Sequence, residues 1–153
     1  MPQYAERYYE QLTELVERVF VEQREKISAT AALFADAIME KRTIWSFGCT
    51  HASMMAAELY YRAGGLIPIQ GIFGPGLWLD QLPVTRTSEL EKLEGYGRVI
   101  LADLPLKAGD VLMVASTSGK NAVPVEVALE GKARGLSIVA LTSIPYSSSV
   151  EPN

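Results

Sequence analysis

The 153 residues predict a three-layer α/β sandwich on a parallel sheet, preceded by an N-terminal helical arm. Three features carry this. From Thr43 onward, short apolar runs alternate with helical patterns, as in strands joined by helical crossovers. The run Val111 to Ala115 is apolar throughout, as a parallel strand buried on both faces is. The helical stretches stop at Gly64-Gly65 and at Gly135, where glycine closes a helix through left-handed backbone.

Each element follows from local pattern. No glycine or proline occurs between Gln3 and Phe47. Tyr8, Leu12, Leu15, Val16, Val19 and Phe20 form a helical stripe, resumed at Ile27, Ala31, Phe34, Ala35 and Ile38. One helix from Tyr4 to Lys41 would be about 57 Å long, more than a compact domain of this size. Two helices are expected instead, or one arm packed on a second subunit, which makes the protein a homodimer through its N-terminal helices. The arm, 1–41, is expected to belong to the same domain as the α/β part, 42–153.

Thr43 to Phe47 is short, β-branched and aromatic, and reads as a buried strand. A helix is predicted from His51 to Ala63. A second strand is predicted from Leu66 to Phe73, with Pro68 marking its start or an edge. Ser88 and Glu91, three apart, resemble a capping box, so a helix is expected from there to Ala102. Lys107 to Asp110 is a turn, and Val111 to Ala115 the third strand. Ala122 to Arg134 is a helix, and Ser137 to Thr142 the fourth strand. Eleven residues follow Thr142 with no helical pattern, although a parallel strand needs a covering helix. The C-terminal part is therefore expected to be missing or supplied by another chain.

Composition narrows the function. Apolar residues make up 48% and charged residues 21%, enough to build a core. A net charge of −4 argues against a nucleic-acid binder or an anionic-membrane binder. The single cysteine, Cys49, and single histidine, His51, exclude an internal disulfide and any metal site built on Cys pairs or several histidines. No metal or other cofactor is called for. The N-terminus lacks an apolar signal core and no run is long enough to span a bilayer, so a cytoplasmic location is expected.

The informative segment is Ser116-Thr117-Ser118-Gly119-Lys120-Asn121, which follows an apolar strand and opens a helix. In a parallel sheet, ligands sit at the carboxyl ends of strands. A helix N-terminus offers amides and partial positive charge, which suit a phosphate. The hydroxyls of Ser116, Thr117 and Ser118 add donors. Gly119 permits close backbone approach, and Asn121 suits the N-cap. A plain helix-capping connection would use the same residues. It is not a Walker A loop, because Val114 stands where that motif needs glycine. Only the first glycine of a dinucleotide fingerprint is present in Gly48-Cys49-Thr50-His51-Ala52-Ser53.

The stretch Gly109-Asp110-Val111-Leu112-Met113-Val114-Ala115-Ser116-Thr117-Ser118-Gly119 resembles the central strand and phosphate loop of sugar isomerase (SIS) domains. Val123 to Ala128, Ile138 to Ser143, Phe47 to His51 and Glu58 to Gly65 resemble the same family, near small bacterial proteins related to phosphoheptose isomerase. The resemblance implies an SIS-type, flavodoxin-like fold. It also implies a phosphorylated sugar or amino-sugar phosphate gripped by the Ser-Thr-Ser-Gly loop. The family's first loop is Gly-x-Gly-x-Ser, whereas this chain has Thr50 and Ala52 at the second glycine and the serine.

The binding candidates are therefore Ser116, Thr117, Ser118, Gly119 and Asn121, with Thr50 and Ser53 as replacement polar contacts in the first loop. His51 and Glu58 are the candidates for catalytic proton transfer. Lys120 offers long-range attraction for phosphate, and Arg62 an approach to phosphate or to a partner's carboxylate. Cys49 reads as small-residue packing, and the acidic run Glu89 to Glu94 as a solvated helix face. Three functions remain open: an aldose–ketose phosphosugar isomerase, a non-catalytic sugar-phosphate sensor, and an amino-sugar-phosphate lyase or etherase.

Overall fold

The structure, a computed structural model, describes residues 2–151. It divides into two compact units, one running through Ala35 and the other from Asp36 onward.

In the first unit, α1 (Pro2–Glu22) is followed by α2 (Arg24–Met39), which continues into the second. Of the two arrangements the sequence allows, consecutive helices are observed. Helical bonding passes through the junction, since the Gln23 amide donates to Val19 O at 2.9 Å and its carbonyl accepts from Ile27 at 2.8 Å. The Arg24 guanidinium lies 4.8 Å from the centre of the Phe20 ring, a cation–π contact.

The second unit holds a four-stranded, wholly parallel sheet in the order β2-β1-β3-β4. The strands are β1 (Ile44–Gly48), β2 (Ile69–Ile72), β3 (Val111–Ala115) and β4 (Ser137–Leu141). β1 and β3 are buried along their whole length, as their unbroken apolar character requires. Register sets the layers. Trp45 faces Leu112 and Phe47 faces Val114 across the central pair, and all four enter one cluster with Leu101, Val123, Val127 and Leu136. That side is covered by α5 (Tyr96–Ala102) and α6 (Ala122–Ala133), and the opposite side of β1 and β2 by α3 (Ser53–Leu59). Asp110 anchors the base of the sheet. Its buried carboxylate accepts from Thr43 N at 3.0 Å, Lys107 N at 3.0 Å and Trp45 Nε1 at 3.1 Å.

Several expected boundaries shift, each for a physical reason. The helix after β1 begins as a 3₁₀ turn (Thr50–Ala52) and ends at Leu59 rather than Ala63. Tyr60 turns extended there, and its ring packs edge-on against Phe73 at 5.3 Å. β2 starts at Ile69, just past Pro68, whose carbonyl accepts from Ile44 N.

The helix expected from Ser88 to Ala102 is two: α4 (Arg86–Leu90) and α5. Gly95, at φ 83°, breaks it. Ser88 is inside α4 and caps nothing, Thr85 being the N-cap. A short α7 (Ile144–Ser147) follows β4 where no helix was expected, with Ser143 Oγ accepting from Tyr146 N. Among the described residues β4 pairs only with β3, and its last residues, Ala140 and Leu141, are exposed.

Candidate functional site

The chain passes from β1 to β2 on one side, then from β2 back across β1 to β3 on the other, so the direction of winding reverses between β1 and β3. This is the switch point at which a parallel sheet opens a crevice beyond its strand ends. A cleft of about 670 Å³ lies there, lined by Cys49 to Ala52 after β1 and by Ala115 to Ser118, Lys120 and Asn121 after β3. Ser88, Glu91, Lys92 and Tyr146 complete the lining.

The loop after β1 turns within a few atoms. A Cβ on Gly48 would collide with the carbonyl of Ala52, so only glycine ends this strand. Thr50 then takes the left-handed conformation, at φ 52°. The backbone thus keeps the conformation glycine favours, with a β-branched residue in it. Leu77 O holds the turn by accepting from Thr50 N at 2.8 Å.

The loop after β3 curls on itself. The Gly119 amide donates to Ser116 Oγ at 3.2 Å, which leaves the Ser116 hydroxyl proton to be donated elsewhere. Residues near the end of β4 brace the loop from behind. Thr117 O accepts from Ser143 N and Thr142 Oγ1, each at 3.2 Å. Gly119, at φ 62°, makes the turn, and a Cβ there would lie 3.3 Å from Thr142 Oγ1 and 3.4 Å from Ser147 Oγ.

Asn121 has N-cap dihedrals but makes no side-chain cap bond. Its side chain is hydrogen-bonded to Glu91 instead. The Val123 amide donates to Glu91 O at 3.0 Å, and Pro124 has no amide proton. The start of α6 therefore presents fewer backbone donors than its sequence suggests. Hydroxyls and loop amides make up the rest.

Of the candidates, Thr50, His51, Ser116, Thr117, Ser118 and Asn121 come together in this cleft. Ser53, Glu58 and Gly119 are not among its lining residues. Ser53 is buried, and its hydroxyl donates to Thr50 O at 2.5 Å, so it shapes the first loop from behind. Glu58 is exposed on α3 and ion-paired with Arg62.

Cys49 is buried, and its thiol is pushed up to about 12 by that burial and by the nearby Glu91 charge. At neutral pH it is an uncharged packing group rather than a nucleophile.

Ser88, Glu91, Lys92 and Tyr146 line the cleft without having been singled out for it by sequence. The Ser88–Glu91 spacing pointed to a helix cap and the acidic run to a solvated face, whereas Glu91 is half-buried. Its aim comes from the break at Gly95 and from the clamp on α6. There Glu126 accepts from Gly95 N at 2.6 Å and Gly97 N at 2.9 Å. Burial pushes the Glu91 carboxyl above its ordinary range, opposed by its bond to Asn121 and the charge of Lys92.

Among the described residues no three His, Cys, Asp or Glu side chains group as a metal site needs. No described helix is long and apolar enough to cross a membrane.

Comparison with known proteins follows the same lines. The pattern described as "SIS domain" matches residues 7–143. A UPF0309 protein of Shouchella clausii is 41% identical over 148 residues, covering 97% of this chain and 60% of its own. One from Oceanobacillus iheyensis is 40% identical over 147 residues, covering 96% and 60%. This chain thus spans 60% of the length of these relatives. Among solved structures, a phosphoheptose isomerase from Francisella tularensis superposes with TM-score 0.72 at 13% identity, over 100% of this chain and 80% of that one. A phosphoheptose isomerase from Neisseria gonorrhoeae gives TM-score 0.61 at 19% identity, over 98% and 80%. At such identities the likeness is one of fold.

Proposed function

The chain belongs to the SIS domain family, and from that premise we propose that it binds a phosphorylated sugar in the cleft between the ends of β1 and β3. The observation that carries this reading is the hydroxyl-lined turn Ser116-Thr117-Ser118, set at the sheet's switch point where α6 begins. Hydroxyl donors, loop amides, the positive end of α6 and the ammonium of Lys120 all favour an anion there. The acidic overall charge makes this a local preference, suited to a small anion. The remaining volume, toward Glu91 and His51, suits a polyol with several hydroxyls.

Aldose–ketose isomerisation is the reaction we assign to the site. It needs an anchored phosphate and one group that moves a proton between adjacent carbons. We also propose that the protein is a homodimer joined by its N-terminal helices. The stripe Leu12, Leu15, Val16 and Val19 on α1 has the spacing of a face that packs on a partner.

Titration calorimetry with a sugar phosphate and its parent sugar tests the binding reading. Ser118→Ala removes one donor and should weaken phosphosugar affinity about tenfold, equivalent to roughly 1.4 kcal/mol, with an unchanged melting temperature. Equal affinity in the variant would remove this loop from the site.

A further inference from the structure

We infer that Glu91 is the proton-transferring residue of this cleft, facing the carbonyl end of a sugar whose phosphate lies on the Ser116–Asn121 loop. The inference rests on the phosphosugar reading of the site. Glu91 is the one carboxylate among the described residues that line the cleft. Glu58, the acid singled out by sequence, is exposed and held by Arg62.

Glu91 comes from the C-terminal end of α4, yet it is fixed to the helix that follows the phosphate loop. Its carbonyl accepts from Val123 N at 3.0 Å and its side chain bonds Asn121. Four to six residues on, the Glu126 carboxylate grips the amides of Gly95 and Gly97. A Cβ on Gly97 would stand 2.7 Å from Glu126 Cβ and 2.9 Å from Val123 O, so this close seating needs glycine. Phosphate loop and carboxylate are thus referred to a single rigid element, α6, as a positioned acid–base group requires.

Charge then sets the direction of the ligand. A phosphate is repelled by a carboxylate and drawn to hydroxyls and Lys120, so the uncharged carbon chain is left for Glu91. The groups around Glu91 are the Asn121 amide bonded to it, the Cys49 thiol within reach of its charge, Lys92 beside it, and His51 and Lys120 elsewhere in the cleft lining. Half-burial strengthens its hold on a proton, moving it toward the range in which one carboxyl both accepts and returns a proton.

The reaction balances without a co-reactant. The carboxylate takes the proton from C2 of the aldose, and the C–H pair becomes the C1=C2 bond. The carbonyl pair moves to O1, which takes a proton from His51. O2 then gives its proton to His51, its pair forms C2=O2, and C1 takes back the proton held by Glu91.

The test follows solvent deuterium entering the carbon next to the carbonyl, read by NMR. The probes are aldose and ketose phosphates of five to seven carbons, with binding measured in parallel. The wild-type chain should exchange. E91Q should bind within a few-fold of wild type and exchange at least about 100-fold more slowly. E91D should retain measurable exchange, its rate following the titration of a carboxyl. Exchange in E91Q at the wild-type rate, or a wild type that binds without exchanging, overturns the role of Glu91 and leaves phosphosugar binding intact. Loss of binding together with exchange in E91Q also overturns it, since it marks a binding group. Absence of binding by every probe to the wild type removes the phosphosugar reading and this inference with it.

Discussion

Glu91 carries a cost in folding that its place in the cleft explains. Its folded-state proton affinity lies above the ordinary carboxyl value of 4.5, with burial as the largest cause. A group that binds its proton more tightly when folded favours the native state where the proton is bound. It loses that advantage as pH rises above its unfolded value. Stability should therefore decline relative to a Glu91→Gln variant as pH rises above the unfolded carboxyl value of 4.5, until the folded carboxyl has also lost its proton. Melting curves of the two proteins should draw together at the acid end and separate, variant higher, at the alkaline end. A gap that does not change with pH would contradict this. Thr50 is a second residue under tension, since left-handed backbone costs an L-residue about 1–2 kcal/mol. Such outliers collect at functional sites, and this one turns the first loop along the cleft.

Among the elements, the segment between α4 and α5 decides the geometry of the site, and Glu126 decides the segment. Its carboxylate accepts two backbone amides, at Gly95 and Gly97. Glu126→Ala leaves both half-buried donors without their charged acceptor, which should cost about 2–3 kcal/mol. The same change should slow solvent-deuterium exchange into a bound sugar phosphate more than it weakens binding, because Glu91 loses part of its support. Denaturant unfolding and NMR exchange check the two effects, and a variant with unchanged midpoint and exchange rate would show that the clamp does not position Glu91.

This segment also shows where sequence reading stops. The strands β1, β3 and β4 and helix α6 were legible within a residue or so, because continuous apolar runs and a closing glycine are local signals. The turn Ser116–Asn121 was legible as the connection from β3 into α6 for the same reason. Gly95 was visible, but not the helix break it makes, because the break is fixed by a carboxylate 31 residues away. Asn121 suited an N-cap by type, yet its side chain bonds Glu91, a partner that only the tertiary fold supplies. Serine spacing at Ser88 suggested a cap, whereas the helix begins two residues earlier. Local chemistry thus marks the turn proposed to hold phosphate, whereas only long-range packing brings Glu91 into the same cleft.

At the scale of the whole molecule, the sheet order builds the cleft. Placing β1 between β2 and β3 brings two unconnected loops, Cys49–Ala52 and Ala115–Asn121, to one cleft. The end of α4 adds a third segment, Ser88, Glu91 and Lys92, to the same lining. The amphipathic α1 predicts self-association, so sedimentation equilibrium at micromolar concentration should give twice the chain mass. Leu15→Glu together with Val19→Glu should return the chain mass without loss of the α/β unit's helical and strand signal. A wild-type monomer would refute the homodimer.

The central claim is that the cleft recognises phosphate and sugar together. Ligand-induced thermal stabilisation reads this directly, because a ligand that binds only the folded state stabilises it by about 2.7 kcal/mol at one hundred times its dissociation constant. The panel pairs sugar phosphates with their parent sugars and with inorganic phosphate. At least one sugar phosphate should raise the melting temperature by several degrees, its parent sugar should have no effect, and phosphate alone should have a smaller one. No shift with any sugar phosphate, or an equal shift with the parent sugar, would contradict the account.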